Sequence, residues 1–293
     1  MNKKQKQLIE TYFRKREIVV NYKNTSLTEV ENIFLIGQGK KPIIVRIEDW
    51  VLKRIEKEPN FIKNLDIDNL SSRNIGDILT TQPLVIDYLN SVIDKVESED
   101  ITRIILNSPE FIKKFDISKI DGPEIPSVII KYPKLINYLD LNKMSGFGVS
   151  YVLIEKPNYI KKLGGVTHKM LGYFVMTVLK HQPTLVDFLD IKKMDGDKIS
   201  NLLTSQPTLI DKLNPILDRL TNSNVMNILV SHPNLIKKIN VKNLDEEYIT
   251  AILIRQPILI DQLDIGILDG YFIDEILTFQ PQLRPKFEER GLI

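Results

Sequence analysis

Ten prolines constrain this chain more than any other feature. Pro59, Pro83, Pro109, Pro133, Pro157, Pro183, Pro207, Pro233, Pro257 and Pro281 succeed one another at intervals of 24, 26, 24, 24, 26, 24, 26, 24 and 24 residues. A sustained period of this length is the mark of a repeat architecture. A unit of two dozen residues carries too few apolar side chains to offset the entropy of ordering it alone. Each unit must therefore stack on its neighbours, which is the physics of a solenoid.

The unit "PTLVDFLDIKKMDGDKISNLLTSQ", read from Pro183, shows the pattern. Its apolar positions are Leu185, Val186, Leu189, Ile191, Met194, Ile199, Leu202 and Leu203, and the next unit resumes with Leu209, Ile210 and Leu213. From Ile199 onward the spacing is helical and runs through the proline. It predicts one short helix ending near Gln206 and a second starting at Pro207, where a fixed φ and a missing N–H suit a first turn. The segment "DIKKM" is predicted to form a single helical or 3₁₀ turn. In the longer units it becomes "NSVIDKV" (Asn90 to Val96) or "NPILDRL" (Asn214 to Leu220), and Asn-Pro there reads as an N-cap followed by a first helical residue. Asp-Gly at 121–122, 195–196 and 269–270 marks the turn before the next helix.

The first 46 residues lie outside the repeat. Leu8, Ile9, Tyr12 and Phe13 share one stripe of a basic amphipathic helix, "EIVVNY" and "KPIIVRI" read as strands, and Ser26 with Glu29 forms a capping box. The expected fold is thus an all-α solenoid of about ten 24–26-residue helical repeats over residues 47–285. A small N-terminal α/β cap over residues 1–46 precedes it, and a C-terminal capping tail over residues 286–293 completes it.

The proline-opened short repeat resembles the leucine-rich-repeat-variant class of α-solenoids. The cysteine cluster that some members carry is absent here, so the resemblance implies no iron–sulfur function. The "xPxLI" helix is also similar to the longer repeats of mitochondrial transcription terminators, which implies duplex nucleic-acid binding as an alternative. Written many times over, "QPxLIDxLDIxxLxG" looks like uncharacterised tandem-repeat proteins of large bacteriophages. That resemblance implies a phage origin, with host-cell cytoplasm or the virion as location. True leucine-rich repeats share the period, but Met194, Leu244 and Leu268 stand where their asparagine ladder would be.

Charge and composition narrow the function. The chain has no cysteine, which excludes disulfides, thiolate chemistry and Cys-ligated metal and fits a reducing, cytoplasmic setting. No apolar run is long enough to span a bilayer, and the N-terminus lacks the apolar core of a signal peptide. Residues 1–24 carry seven Lys/Arg against two Asp/Glu, and the remainder 33 against 36, so the body is slightly acidic. His168, His181 and His232 lie at different repeat positions and have no helical partner of metal-site type. "GQGKK" (residues 37–41) lacks the spacing of a phosphate loop and reads as a turn. Asp66, Asn90, Asp116, Asp140, Asp190, Asn214, Asn240 and Asp264 recur just after the last buried apolar residue and read as caps.

Two surface patterns suggest binding. Asp87, Asp187, Asp211 and Asp261 lie four residues beyond a Gln-preceded proline, and Lys or Asn takes that site in other units. This predicts Asp–Lys pairing between neighbouring units or a recognition face with basic rungs at Lys113–Lys114, Lys161–Lys162 and Lys237–Lys238. Tyr88, Tyr138 and Phe188 recur every 50 residues at one repeat position, as neighbour packing or as anchors for a partner. The function expected is a non-catalytic protein-binding scaffold or adaptor acting on a host factor or virion component, with nucleic-acid binding second. No metal, cofactor, membrane or small-molecule substrate is expected.

Overall fold

The computed structural model describes residues 49–293, and the α/β cap and turn expected within residues 1–46 lie outside them. The chain divides into two compact units, Met1–Asp140 and Leu141–Ile293. The first contains helices α1 (Asp49–Lys57), α2 (Ser72–Thr81), α3 (Ser98–Asn107) and α4 (Ile125–Lys131). The second contains α5 (Gly146–Glu155), α6 (Gly172–His181), α7 (Gly196–Ser205), α8 (Asn222–Ser231), α9 (Glu246–Arg255), α10 (Gly270–Phe279) and α11 (Arg284–Glu289). No strand occurs among the described residues. Within each unit successive α-helices pack side by side at the repeat spacing, consistent with an all-α solenoid.

The Gln-Pro step is a joint between two kinds of helix. Gln206 has φ −133° and ψ 68°, because the residue before a proline is pushed out of the α region. Its N–H still closes α7 by donating to the Leu202 carbonyl at 2.7 Å. Its own carbonyl accepts from the Leu209 N–H at 3.1 Å, opening a 3₁₀ turn at Pro207. The same geometry recurs at Gln82, Gln182, Gln256 and Gln280.

Short and long repeats diverge after the proline-opened segment. After Pro183–Phe188, Leu189 is extended, and the Asp190 side chain accepts the Lys192 N–H to start the turn Ile191–Lys193. Asp116, Asn240 and Asp264 cap in the same way. Two extra residues remove the break. From Pro207 the chain runs through one α-turn, Ile210–Leu213, into the 3₁₀ segment Asn214–Arg219. Asn214 is therefore itself helical (φ −45°, ψ −42°), and so is Asn90 (φ −53°, ψ −35°), which corrects their reading as N-caps. At Asn214 the cap is not needed because the helical run continues unbroken, and at Asn90 the residue closes the Pro83–Leu89 segment instead of opening the next. The turn at Asp-Gly is more specific than expected: Asp195 and Asp269 are side-chain N-caps of α7 and α10.

The core is one stripe per element. Ile199, Leu202, Leu203 and Leu213 are fully buried, as are Met194 and the Leu and Val residues of the Pro183 segment to within a few per cent. Ile191 is the exception and remains half-exposed. Stacking is close at three helix N-termini. A Cβ on Gly146, Gly172 or Gly196 would lie 2.3, 2.1 or 2.4 Å from the carbonyl of Lys169, Lys193 or Arg219 in the next repeat. In the last repeat α11 succeeds Pro281–Leu283 and buries Phe287 completely, and Gly291 (φ +68°) terminates it in the left-handed conformation.

Candidate functional site

Three polar ladders join neighbouring repeats, and they account for many side chains that sequence alone leaves free. In the first, the residue before the proline reaches back to the preceding helix. Gln182 Nε2 donates to the Ile154 carbonyl at 2.9 Å, Gln206 to Lys180 at 2.9 Å, Gln256 to Val230 at 2.7 Å and Gln280 to Ile254 at 2.6 Å. Each bond satisfies a C-terminal carbonyl that the helix cannot pair internally. Tyr132 Oη fills the slot by donating to Leu106, and His232 Nε2 lies 3.0 Å from the Thr204 carbonyl, in the tautomer that donates. His168 and His181 place Nδ1 against the carbonyls of Gly165 and Thr177. All three histidines are thus engaged by backbone.

The second ladder is cationic. Lys95 donates to the Asp68 carbonyl, Lys119 to Asp94, Lys169 to Asn142, Lys193 to His168 and Met170, and Arg219 to Lys192 and Met194. Each cation ends a short 3₁₀ segment and caps the corresponding turn one repeat earlier.

The third ladder links the fourth residue beyond one proline to the fifth beyond the next. Asp87 pairs with Lys114 at 3.0 Å, Asp187 with Lys212 at 2.8 Å, Asp211 with Lys238 at 2.5 Å and Asp261 with Lys286 at 3.1 Å. Arg290 adds a contact to Asp261, and the Asp261 carboxylate, helped by Glu289, holds the Lys286 ammonium above its ordinary pKa. Where the fourth residue is lysine the partner changes: the Lys63 ammonium lies 5.1 Å from the Tyr88 ring centroid. The same two positions hold Lys113 with Tyr138, Lys161 with Phe188, and Lys237 with Gln262.

The candidate binding residues separate accordingly. Lys114 and Lys238 are in ion pairs, and the Lys162 ammonium sits 5.7 Å from the Tyr159 ring centroid. Tyr88 carries Lys63 and donates its hydroxyl to Asn60, while Tyr138 and Phe188 are about half exposed. Lys113, Lys161 and Lys237 have no ion pair or hydrogen bond among the described residues.

In the first unit the α-helices present charge. Arg103 bonds Asp77 at 2.5 Å and Asp100 at 2.8 Å, and Ser72 donates to Asp100. Burial works against the Arg103 charge, but bonding to Asp77 and Asp100 outweighs it and raises the pKa. In the second unit the equivalent face of α5 and α6 is aromatic. Phe147 stacks parallel to Tyr151 at 6.4 Å and meets Phe174 edge-on at 6.0 Å, and Tyr173 packs edge-on to Phe174 at 5.7 Å. Phe147 is 63% and Tyr173 56% exposed, and Leu171 beside them is 67% exposed. A sequence signal for this patch exists: α5 reads GFGVSYVLIE and is apolar around its whole circumference, more than a half-buried helix needs. Beyond α6 the face turns polar, with Asp197 and Asn201 on α7 and Ser223 and Asn227 on α8.

Among the described residues no cluster of His, Asp or Glu is placed to hold a metal ion, and no helix is long and apolar enough to cross a membrane. Comparison with protein-family models, with curated proteins and with solved structures finds no match to this chain.

Proposed function

We propose that this chain is a non-catalytic scaffold that binds a protein partner, with the aromatic cluster of α5 and α6 as its anchor. The observation that carries this reading is the exposure of Phe147, Tyr151, Tyr173 and Leu171 in one contiguous patch. Aromatic side chains left in water on rigid elements cost free energy and are the residues that dominate interface energetics. The stacked repeats hold them rigidly, so little entropy is lost on binding. The phage resemblance would make the partner a host factor or a virion component.

The test is capture by tagged protein from its own cellular context, with and without nuclease, using wild type, Phe147→Glu/Tyr173→Glu and, as a surface-charge control on α2 of the first unit where the Arg73 side chain is 62% exposed, Arg73→Glu. A discrete protein band that survives nuclease, disappears with the aromatic double variant and persists with Arg73→Glu is expected. Capture unaffected by the aromatic changes would overturn this reading. Loss of all captured material with nuclease would replace it with nucleic-acid binding.

A further inference from the structure

We infer that the third ladder forms a docking rail in the second unit, with a rung of the same kind at Lys113 in the first, for an extended acidic polypeptide segment in which single Asp or Glu residues are set well apart by apolar residues. The inference rests on the reading of the chain as a protein-binding scaffold, but it uses the proline-opened segments rather than α5 and α6, so the two can fail separately.

The argument begins with charge. The paired positions, four residues beyond one proline and five beyond the next, hold nine lysines and four aspartates, a balance of +5. Residues 25–293 as a whole balance to −3. Positive charge is therefore concentrated at these positions of an otherwise acidic body, which is the arrangement that steers and orients an anionic partner. Internal pairing sharpens the contrast. All four aspartates are neutralised by Lys114, Lys212, Lys238 and Lys286. The charges left without an ion pair, hydrogen bond or ring contact among the described residues are exclusively cationic: Lys113, Lys161 and Lys237.

The neighbours of these lysines define the rest of the partner. Tyr138 occupies the position across from Lys113, and Phe188 that across from Lys161. At the Lys63–Tyr88 rung the ammonium lies 5.1 Å from the ring centroid, whereas Lys113 and Lys161 make no ring contact among the described residues and Tyr138 and Phe188 stay 47 and 52% exposed. A rung of this kind offers a cation and an apolar plate side by side, complementary to a carboxylate next to an aliphatic side chain.

A nucleic acid fits less well. Its backbone carries a charge about every 3.4 Å along each strand, without interruption. Asp87, Asp187 and Asp211 expose 72, 62 and 73% of their side chains at the paired rungs and would face phosphates there. A polypeptide avoids this by placing acids only where an unpaired lysine waits.

The experiment uses the full chain and three fluorescent probes: a 20-residue peptide in which single Glu residues are set well apart by Leu and Ser, the same peptide with Lys for Glu, and a 20-nucleotide single-stranded DNA. Anisotropy titrations at low and physiological salt compare wild type with Lys113→Glu/Lys161→Glu/Lys237→Glu and with Lys3→Glu/Lys4→Glu. Since none of the three rail lysines has a partner among the described residues, the triple variant keeps its helical circular dichroism and melting temperature. The expected result is salt-sensitive binding of the acidic peptide alone, weakened at least tenfold by the rail variant and less than twofold by the N-terminal one. Equal loss from both variants would reduce the effect to net charge and overturn the proposal. Tighter binding of the DNA, lost with the rail variant, would overturn it in favour of a nucleic-acid rail. Failure of the aromatic test with success here would leave the rail standing.

Discussion

Gln206 donates its side-chain amide to the carbonyl of Lys180, 2.9 Å away and one repeat earlier. This bond explains why glutamine, rather than any polar residue, precedes so many of the anchor prolines. The proline excludes the residue before it from the helix, and the freed side chain then seals the end of the helix alongside. Gln206→Leu should cost about 1 kcal/mol, the usual net worth of such a bond, and lower the urea midpoint. Gln206→His should cost less, since His232 fills the equivalent slot. Equal losses for the two variants would show that packing, not the hydrogen bond, is what the position supplies.

Glycine at the first helical position has a comparable stacking role, and two sites make opposite predictions. Gly172→Ala would place a Cβ 2.1 Å from the Lys193 carbonyl, against backbone that cannot swing away. It should separate the repeats and destabilise strongly, by several degrees of melting temperature. Gly165→Ala meets nothing within 4 Å and lies in a 3₁₀ segment without positive φ. It should stabilise by about 0.4–1 kcal/mol by restricting the unfolded chain. Thermal melts of both variants check the pair, and a neutral Gly172→Ala would contradict the close approach.

The local rules are legible in the sequence, and the rules between repeats mostly are not. Proline's fixed φ and its effect on the preceding residue act within one unit, so the spacing predicts both the repeat and its helical joints. Caps such as Asp190 to the Lys192 N–H are also local. The ladders join residues 23 to 28 apart, and reading them requires the stacking register. One trace of that register is nonetheless written in the sequence. Aspartate at the fourth position is succeeded by lysine at the fifth position of the next unit, and lysine by Tyr88, Tyr138, Phe188 or Gln262. Read along one unit, those aromatics look like a row; read across units, they are what keeps lysine from facing lysine. The Phe147–Tyr151 patch is hidden for a different reason. Apolar residues at helical spacing read as core, and nothing in that spacing tells that Phe147, Tyr151 and Tyr173 lie on the outward side of α5 and α6.

The Asp211–Lys238 rung measures what one member of the third ladder contributes. Both side chains are about half exposed or more, so the pair is solvated and its coupling should not exceed about 1 kcal/mol at low salt. Asp211→Lys should destabilise by setting like charges across the rung. Adding Lys238→Asp should restore most of the loss, and salt at about 0.5 M should erase the difference. A double-mutant cycle in urea at two salt concentrations is the check. A coupling that survives high salt would mean the pair is more shielded from water than its exposure implies.

Asp195 ties a single proton to the start of α7. Its carboxylate lies below the usual aspartate pKa, chiefly through its hydrogen bond with the Lys198 side chain and next through the Lys198 backbone N–H that it caps. A lowered folded-state pKa gives stabilisation that is complete above the unfolded-state value, about 3.9, and fades as pH falls through the folded value. Asp195→Ala should therefore cost about 1 kcal/mol at pH 7, the worth of an N-cap, and progressively less below about pH 4. Asp195→Asn keeps an oxygen for the backbone N–H but loses the charge attraction to Lys198. Its stability relative to wild type should be slightly lower at pH 7 and equal in acid. Melting temperatures of the three proteins from about pH 2.5 to 7 test this across the titration range of the carboxylate. A gap between wild type and Asp195→Ala that stays constant into acid would mean the neutral carboxyl caps as well as the carboxylate does, and that Lys198 adds nothing.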